Sequence, residues 1–272
     1  MAILTIQSAV AVGHVGNSAA TFAIQRLGVE AWPVDTVQLS NHTGHADWGG
    51  GTLGVRHVED VLAGVERRGG FANADAVLSG YVGSAELAAV IGAAVDRLKA
   101  VNAGALYLCD PVIGNDRAGV FVDADVARAV ADVLVPRADL LTPNRFELAQ
   151  LVGRTLDDVA AVTDAARDFD ATVVVTSVPC AAGIGVLVKD GEEVWLIETP
   201  RLDGPANGAG DTFAAMLLAR LVRGETLIDA ATQACASVFA VLRASAGGEL
   251  ALVTAQDEIV TPRRTFAPRR LR

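Results

Sequence analysis

Lysine is almost missing from this sequence. It occurs only at Lys99 and Lys189 among 272 residues, so arginine carries most of the positive charge. Lysine side chains form Schiff bases and bind phosphates in many enzymes, and few candidates for either role exist here. A phosphate site in this protein therefore has to depend on other groups.

Cysteine is also scarce. The three cysteines, Cys109, Cys180 and Cys235, are far apart, odd in number and form no CxxC pair. This pattern excludes an even disulfide framework, and we expect a reducing, cytoplasmic setting. With 51% hydrophobic and 20% charged residues, the composition also excludes intrinsic disorder and a coiled coil.

The charge is acidic overall. The net charge is −10, although five arginines fall within residues 263–272. An acidic body repels nucleic-acid backbones, so we expect no nucleic-acid partner. Two uncharged stretches, residues 1–25 and 171–188, are interrupted by polar residues and glycine, so we expect no membrane partner either. We interpret residues 1–262 as a single domain and residues 263–272 as a frayed basic tail.

Short β-rich runs alternate with longer segments of helical period along the chain. This alternation predicts strand–helix units around a mainly parallel sheet, with strands from residues 2–7 through 194–197. Late in the chain, residues 189–192 form a hairpin signal between two strands, so we expect the sheet to be mixed at one edge. Ligands of such sheets bind beyond the carboxyl ends of the strands.

A glycine-rich turn opens a predicted helix at residues 207–213. Such a turn directs several unpaired N–H groups at one point, and the helix dipole adds positive potential, so an anion is stabilised without lysine. Asp211 lies in the first turn of that helix. A carboxylate there can simply stabilise the dipole, or it can accept a proton from a hydroxyl that attacks a bound phosphate.

The turn Gly208-Ala209-Gly210-Asp211 resembles the anion-hole and catalytic-aspartate motif of the ribokinase superfamily. Further motifs, in the same order along the chain, resemble those of the pyridoxal kinases; they are residues 6–8 with 13–20, 32–33 with 36–44, 78–84, 109–112 and 142–147. The resemblance extends from residue 3 to about residue 220. It implies a three-layer α/β/α fold of the ribokinase-like type.

This resemblance implies a reaction and a set of site residues. The 5′-hydroxyl of pyridoxal, and of pyridoxine or pyridoxamine, would be phosphorylated by ATP with a divalent metal, Mg²⁺, and with help from a monovalent cation. Asp211 would be the base, and Gly208, Ala209 and Gly210 would stabilise the transferring phosphoryl group. The residues expected to hold the pyridine ring, together with Asp211, are Ser8, His42, Thr43, Gly44 and Tyr81.

The resemblance also implies a nucleotide site. The residues expected there are Asp110, Thr142, Asn144, Glu147, Thr176, Asn207 and Gly208, with Asp110 and Glu147 holding the metal largely through water. Ordinary structural roles exist for two of them, because Asn144 can cap a helix with Glu147 at its third position. Relatives of this type usually form homodimers.

Two positions depart from the family pattern. Thr176 stands where many relatives have lysine, which suggests a weaker contact to ATP, and Asn115 stands where some have aspartate, which puts a direct metal ligand there in doubt. The glycines of residues 44–51 indicate a mobile, lid-like segment. Within that segment His42, His45 and Asp47 have a spacing that could ligate a metal, but no helix fixes it and a fourth ligand is lacking.

Three functions remain to be compared. A pyridoxal kinase is the leading hypothesis. A hydroxymethylpyrimidine kinase or a sugar kinase of the same superfamily is the alternative, although such pyrimidine kinases tend to be glycine-rich directly after the first strand, where residues 8–12 lack glycine here. A non-catalytic vitamin B6 binder is the alternative of another class, and it would need neither Asp211 nor the full glycine turn.

Overall fold

A mixed β-sheet with helices on both faces makes up the fold of the computed structural model, which describes residues 1–181, 183–202, 207–246 and 248–271. The strands are β1 (Ala2–Val10), β2 (Glu30–Leu39), β3 (Gly50–Thr52), β4 (Ala76–Ser79), β5 (Leu106–Cys109), β6 (Gly114–Asn115), β7 (Gly119–Val120), β8 (Leu140–Leu141), β9 (Thr172–Cys180), β10 (Gly183–Asp190), β11 (Glu193–Thr199) and β12 (Pro268–Leu271). The α-helices are α1 (Asn17–Arg26), α2 (Val55–Arg67), α3 (Gly70–Asn73), α4 (Ala85–Val101), α5 (Ala124–Ala129), α6 (Arg145–Val152), α7 (Val159–Ala166), α8 (Ala209–Val222), α9 (Leu227–Ala244) and α10 (Gln256–Val260).

The strand order places the chain's first strand third from one edge of the ten-stranded sheet. The order is β12-β11-β10-β9-β8-β5-β4-β1-β2-β3. From β2 to β9 neighbouring strands run parallel, whereas β3 and the strands β10 to β12 pair antiparallel. The carboxyl ends of β1, β4, β5 and β8 therefore meet at one edge of the parallel region, where ligands of such sheets bind.

Each face of the sheet is covered by its own group of helices. Helices α1, α8 and α9 bury one apolar cluster with Ile3, Leu78 and Leu108, and helices α2, α4, α6 and α7 bury another with Leu4 and Tyr107. Successive strand residues point to opposite faces, so a strand buried on both sides reads as a continuous apolar run. Strand β1 is buried along its whole length.

Local signals begin and end the helices that flank the sheet. The Ser84 hydroxyl accepts a hydrogen bond from the Leu87 N–H and caps α4. Asn144 and Glu147 form a capping box at the start of α6, and Gly153, in the left-handed conformation, ends that helix. The capping alternative for Asn144 and Glu147 is thereby confirmed.

The predicted three-layer fold with a mainly parallel sheet is confirmed. The sheet contains more antiparallel pairing than predicted, because β3 also pairs antiparallel, at the opposite edge of the sheet. Strands β6 and β7 were not predicted, since two residues each are too short to show a period of two. Residues 130–134 wind as a π-helix that continues α5.

The interpretation of residues 263–272 as a frayed tail is wrong for the described part of that segment. Strand β12 pairs antiparallel with β11, and Arg269 and Arg270 form ion pairs with Glu198 and Glu193. The Arg264 guanidinium lies over the ring of Phe266, 5.0 Å from its centroid. The positive charges of the segment therefore have acidic and aromatic partners on the body of the protein. The domain boundary itself stays a prediction.

Helix α9 is long and apolar enough to cross a membrane by length and composition alone. Its face with Ala230, Ala234 and Phe239, however, is buried in the core cluster of the α8 side. A core helix of a globular fold passes the same test of length and composition. Its apolar character is therefore explained by packing within the fold.

Candidate active site

The edge of the sheet brings four residues from four strands into one row. Ile6, Ser79, Cys109 and Leu141 are paired across β1, β4, β5 and β8. The next residue on each strand points to the opposite face, the face covered by α8. We call these next residues the edge row: Gln7, Gly80, Asp110 and Thr142. The edge row lies beneath the start of α8.

The glycine-rich turn lies above the edge row. Gly208 caps α8 with a φ of 84°, and a Cβ built on it would lie 1.8 Å from the backbone oxygen of His14. Both facts require glycine at this position. The first N–H groups of α8 belong to Ala209, Gly210 and Asp211 and have no partner within the helix. The turn therefore presents free donors directly beside the segment that follows β1.

Asp211 lies at this junction and is half-buried. Burial raises the pKa of Asp211, while a hydrogen bond from the Gly16 N–H and the nearby His42 ring lower that pKa. Gly16 follows β1 and His42 follows β2, so residues from the beginning of the chain surround a carboxylate of its final third. The structure thus brings these two distant regions of the chain together.

Three carboxyl groups converge at the site. Burial raises the pKa of Asp110 well above its usual range, and the charges of Glu147 and Asp211 raise it further. Burial also raises the pKa of Glu147 to about 8, although backbone N–H groups oppose this shift. Like charges held in a buried site destabilise one another unless a cation lies between them. Asp110 and Glu147 therefore fit a hydrated divalent cation, since the described residues contain no group of three His, Cys, Asp or Glu side chains that could ligate a metal directly.

Glu147 is held rigidly. Its Oε1 atom accepts hydrogen bonds from the Ile113 and Gly114 N–H groups at 3.1 and 3.4 Å, and its Oε2 atom accepts one from the Asn144 N–H at 2.9 Å. These bonds occupy one lone pair or more on each oxygen, so a metal would contact the carboxylate through water more easily than directly. That agrees with the usual hydration of Mg²⁺ in proteins.

The other residues expected at the nucleotide lie next to these acids. Thr142 Oγ1 is buried and has no hydrogen-bond partner among the described residues, although the hydroxyl favours the charged form of Asp110. Asn144 pairs with Thr176 in an isolated bridge, and its Nδ2 atom donates to the Gly114 backbone oxygen at 2.9 Å. Asn207 precedes the glycine turn. These positions form one band from β5 across β8 to β9.

The residues expected at the pyridine ring surround the opposite end of the edge row. Ser8 is buried against Gly16, where a Cβ would lie 2.6 Å from the Ser8 hydroxyl oxygen. Tyr81 follows Gly80, and its pKa is raised by burial and by Asp123. His42 is near Asp211 and accepts a hydrogen bond at Nδ1 from the Gly44 N–H at 3.0 Å. Thr43 is exposed between them.

The lid-like segment after β2 contacts the loop that follows α9. His45 Nε2 lies 3.0 Å from Glu249 Oε1, and within the segment the backbone oxygen of Asp47 accepts a hydrogen bond from Asn41. His45 is thus paired with Glu249, and the described residues of this segment form no group of three side chains that could hold a metal. These contacts join the segment to the loop that follows α9.

Strands β6 and β7 form a small hairpin beside the acids. Asn115 Oδ1 accepts hydrogen bonds from the N–H groups of Arg117 and Ala118, at 3.0 and 2.8 Å, so the Asn115 side chain shapes the turn. Burial lowers the pKa of His42, and the charge of Arg117 adds a small contribution in the same direction. Arg117 is therefore a positive charge in the neighbourhood of the site that the motif reasoning missed.

Gly16 and Gln7 are two further residues that the motif reasoning did not assign. Gly16 contacts both Ser8 and Asp211 through its backbone. Gln7 is 1% exposed and belongs to the edge row. Both stand inside motifs quoted from the sequence, but only the register between β1 and β4 shows that Gln7 faces the site.

Comparison with known proteins shows the family of this chain. A family model described as phosphomethylpyrimidine kinase matches residues 71–250, so the fold and the site define a small-molecule kinase of that class. Pyridoxal kinase PdxY of Leifsonia xyli is 44% identical over 100% of both chains, and that of Corynebacterium diphtheriae is 41% identical over 98% of both. The chain therefore belongs to the pyridoxal kinase family.

Solved structures give the same result. Pyridoxal kinase from Leishmania donovani, in complex with ADP and pyridoxine, superposes with a TM-score of 0.93 at 26% identity, covering 100% of this chain and 99% of the other. Pyridoxal kinase from Entamoeba histolytica also gives 0.93, at 25% identity and 99% coverage of each chain. The similarity extends over the whole fold.

The two glycines of the turn should respond differently to the same substitution. Gly208→Ala has to move the His14 carbonyl and adopt a positive φ, so we expect a loss of roughly 2–4 kcal/mol in the free energy of unfolding. Gly210→Ala meets nothing within 4 Å and replaces a helical glycine, so we expect a gain of about 0.5–1 kcal/mol. Urea unfolding of both variants measures this, and equal effects would contradict the role given to the His14 contact.

Proposed function

We propose that this protein transfers the γ-phosphoryl group of ATP to the 5′-hydroxyl of pyridoxal, and also to pyridoxine or pyridoxamine. In this reaction the 5′-oxygen forms a bond to the γ-phosphorus, and the bond from that phosphorus to the β–γ bridging oxygen breaks. ADP leaves with the electron pair, and Asp211 accepts the hydroxyl proton. The observation that supports this most is the position of Asp211 beside both the glycine turn and the segment after β1.

The glycine turn would stabilise the transferring group. Phosphoryl transfer passes through a loose transition state in which positioning and charge stabilisation matter more than the strength of the base. The N–H groups of Ala209 and Gly210 meet that need without lysine, and Arg117 of the β6–β7 hairpin is a nearby cation. Thr176 then leaves the nucleotide with one contact fewer than a lysine would make.

The acids would hold the nucleotide's metal. Asp110 and Glu147, with their neighbour Thr142, present carboxylate and hydroxyl oxygens, which suit Mg²⁺. When bound, Mg²⁺ shields the phosphate charge from these carboxylates and stabilises the charge that develops on the leaving ADP. Asn144, Thr176 and Asn207 would bind the nucleotide at the same band. We also propose that a monovalent cation assists the reaction.

The pyridine ring would lie between the ends of β1, β2 and β4. Ser8 and Thr43 offer hydroxyl groups to its polar atoms, while Tyr81 and His42 offer flat faces. Gly44 allows the chain to turn close to the ring. Structures of the similar pyridoxal kinase from Leishmania donovani are complexes with ADP and pyridoxamine or pyridoxine, which supports the assignment. We further propose that the protein is cytoplasmic and that it forms a homodimer. Analytical ultracentrifugation tests the homodimer.

Removing the base should stop turnover without unfolding the protein. We expect Asp211→Asn to lose on the order of 10²–10⁴ in kcat, the usual contribution of a positioned base, with an unfolding midpoint close to that of the wild type. Asp229→Asn is the matched control, since Asp229 is exposed in the first turn of the next helix. Near-normal turnover by Asp211→Asn would refute the mechanism.

Substrate preference separates the candidate functions. We expect ATP-dependent release of ADP with pyridoxal to exceed that with hydroxymethylpyrimidine by at least about tenfold, because the pocket residues follow the pyridoxal kinase pattern. A preference for the pyrimidine would favour the alternative kinase of the same class. Binding of pyridoxal without any substrate-dependent ADP release would identify a carrier.

The pH profile should report the environment of Asp211. Because burial raises the pKa of Asp211 above 3.8, kcat/KM should fall as pH decreases through this raised value, where the carboxyl group gains a proton and cannot act as a base. His42→Gln removes a ring that lowers the pKa of Asp211, so the acid limb should move to higher pH. His57→Gln, on the exposed side of α2, should leave the limb in place. An acid limb that does not move in His42→Gln would contradict the coupling.

A further inference from the structure

Gln7 carries a buried hydrogen-bond donor for which the described residues offer no partner. Its Nε2 atom is buried, and the residue is 1% exposed. Leaving such a donor unpaired destabilises a protein, so buried polar groups are nearly always satisfied by protein, water or a ligand. A ligand bound beside Gln7 would satisfy this donor.

The position of Gln7 identifies the region in which this partner lies. A Cβ built on Gly80 would lie 2.3 Å from Gln7 Oε1, so the carboxamide extends over Gly80 along the edge row toward Asp110. Any larger residue at position 80 would displace it. The absence of a side chain at Gly80 thus opens a place for the Gln7 carboxamide on the face that α8 covers.

The orientation of the chain around Gln7 is fixed independently. The Asn17 Nδ2 atom donates to the Gln7 backbone oxygen at 3.3 Å, to the Val34 backbone oxygen at 3.1 Å and to Asp35 Oδ1 at 2.7 Å. Asn17 thereby ties the end of β1 to β2 at the irregular register that follows Gln7. The unpaired side-chain donor is held in a well-anchored part of the fold rather than on a loose end.

A second unpaired polar atom lies at the other end of the edge row. Thr142 Oγ1 is also buried without a partner, and it belongs to the band assigned to the nucleotide. Gln7 lies on β1, between Ser8 and the Gly80–Tyr81 turn, which is the end assigned to the acceptor. Gln7 Nε2 and Thr142 Oγ1 are two of seven such atoms among the described residues, so Gln7 is assigned to the acceptor by its place beside Ser8 and the Gly80–Tyr81 turn.

We propose that Gln7 is a substrate-binding residue whose Nε2–H donates a hydrogen bond to the 5′-hydroxyl oxygen of the acceptor. This inference rests on the proposed function. An alcohol oxygen can accept one hydrogen bond while its own proton is donated to Asp211, so the two contacts together orient a lone pair of that oxygen toward the γ-phosphorus. A neutral amide provides the contact without lowering the pKa of Asp211 as a cation would.

Gln7→Met tests this contact because it keeps the length of the side chain and removes the donor. We expect the dissociation constant for pyridoxal to rise about tenfold, the usual effect of losing one hydrogen bond. The dissociation constant for ADP should stay the same, and the unfolding midpoint should stay the same or rise, because a buried unpaired donor is gone. Gln25→Met, at an exposed position of α1, is the matched control and should change none of these.

A substrate analogue shows which atom receives the bond. The 5′-deoxy analogue of pyridoxal lacks the hydroxyl, so we expect wild type and Gln7→Met to bind it equally well. Equal loss for pyridoxal and the analogue would mean that packing alone is affected, and unchanged binding of pyridoxal would mean that no bond exists. Weaker binding of ADP would assign the donor to the nucleotide. Each of these three results overturns the inference.

Two further controls keep the result interpretable. If Gln7→Met fails to fold, Gln7→Leu removes the donor without adding a charge, and the same loss of pyridoxal binding with unchanged ADP binding is expected. A wild-type protein that releases no ADP with pyridoxal would overturn the proposed function, and this inference with it. Turnover by the wild type with equal pyridoxal binding by the variants would overturn the inference alone.

Discussion

The close approach of Gly208 to the carbonyl oxygen of His14 is the contact on which the site depends. It joins the start of α8 to the loop after β1, two parts of the chain separated by almost two hundred residues. Because no side chain intervenes, the free N–H groups of the turn and the carboxylate of Asp211 come close to the residues that would present the acceptor. The start of α8 and the segment after β1 are thereby held side by side.

Three acidic side chains dominate the electrostatics of this region. Asp110, Glu147 and Asp211 are close enough to influence one another's pKa values, and the described surroundings balance them with backbone N–H groups rather than with a buried cation. Such a site favours cationic ligands and disfavours a nucleotide that arrives without its metal. The scarcity of lysine in the sequence and the acidity of the site are thus consistent with each other, because the positive charge at such a site would arrive with a metal-bound nucleotide.

Sequence reasoning predicted those parts of the fold that short-range signals specify. The turn at residues 208–211, the capping box of Asn144 and Glu147 and the bounds of α9 could all be read locally. The edge row could not, because only strand register shows that Gln7, Gly80 and Asp110 point to one face. The pairing of residues 268–271 with β11 was also missed, since arginines suggested a tail and their acidic partners lie some seventy residues earlier. The assignment of individual site residues to ligands remains a prediction.

The last strand has a consequence for how molecules of this protein behave toward each other. A sheet that ends in an uncovered strand invites strand addition by a neighbouring chain and hence aggregation. Strand β12 begins with Pro268, which has no N–H to offer, and continues with Arg269 and Arg270, which are exposed. Charge and proline on an outer strand discourage such pairing. Strand β12 thus hinders the extension of the sheet by pairing with a strand of another molecule.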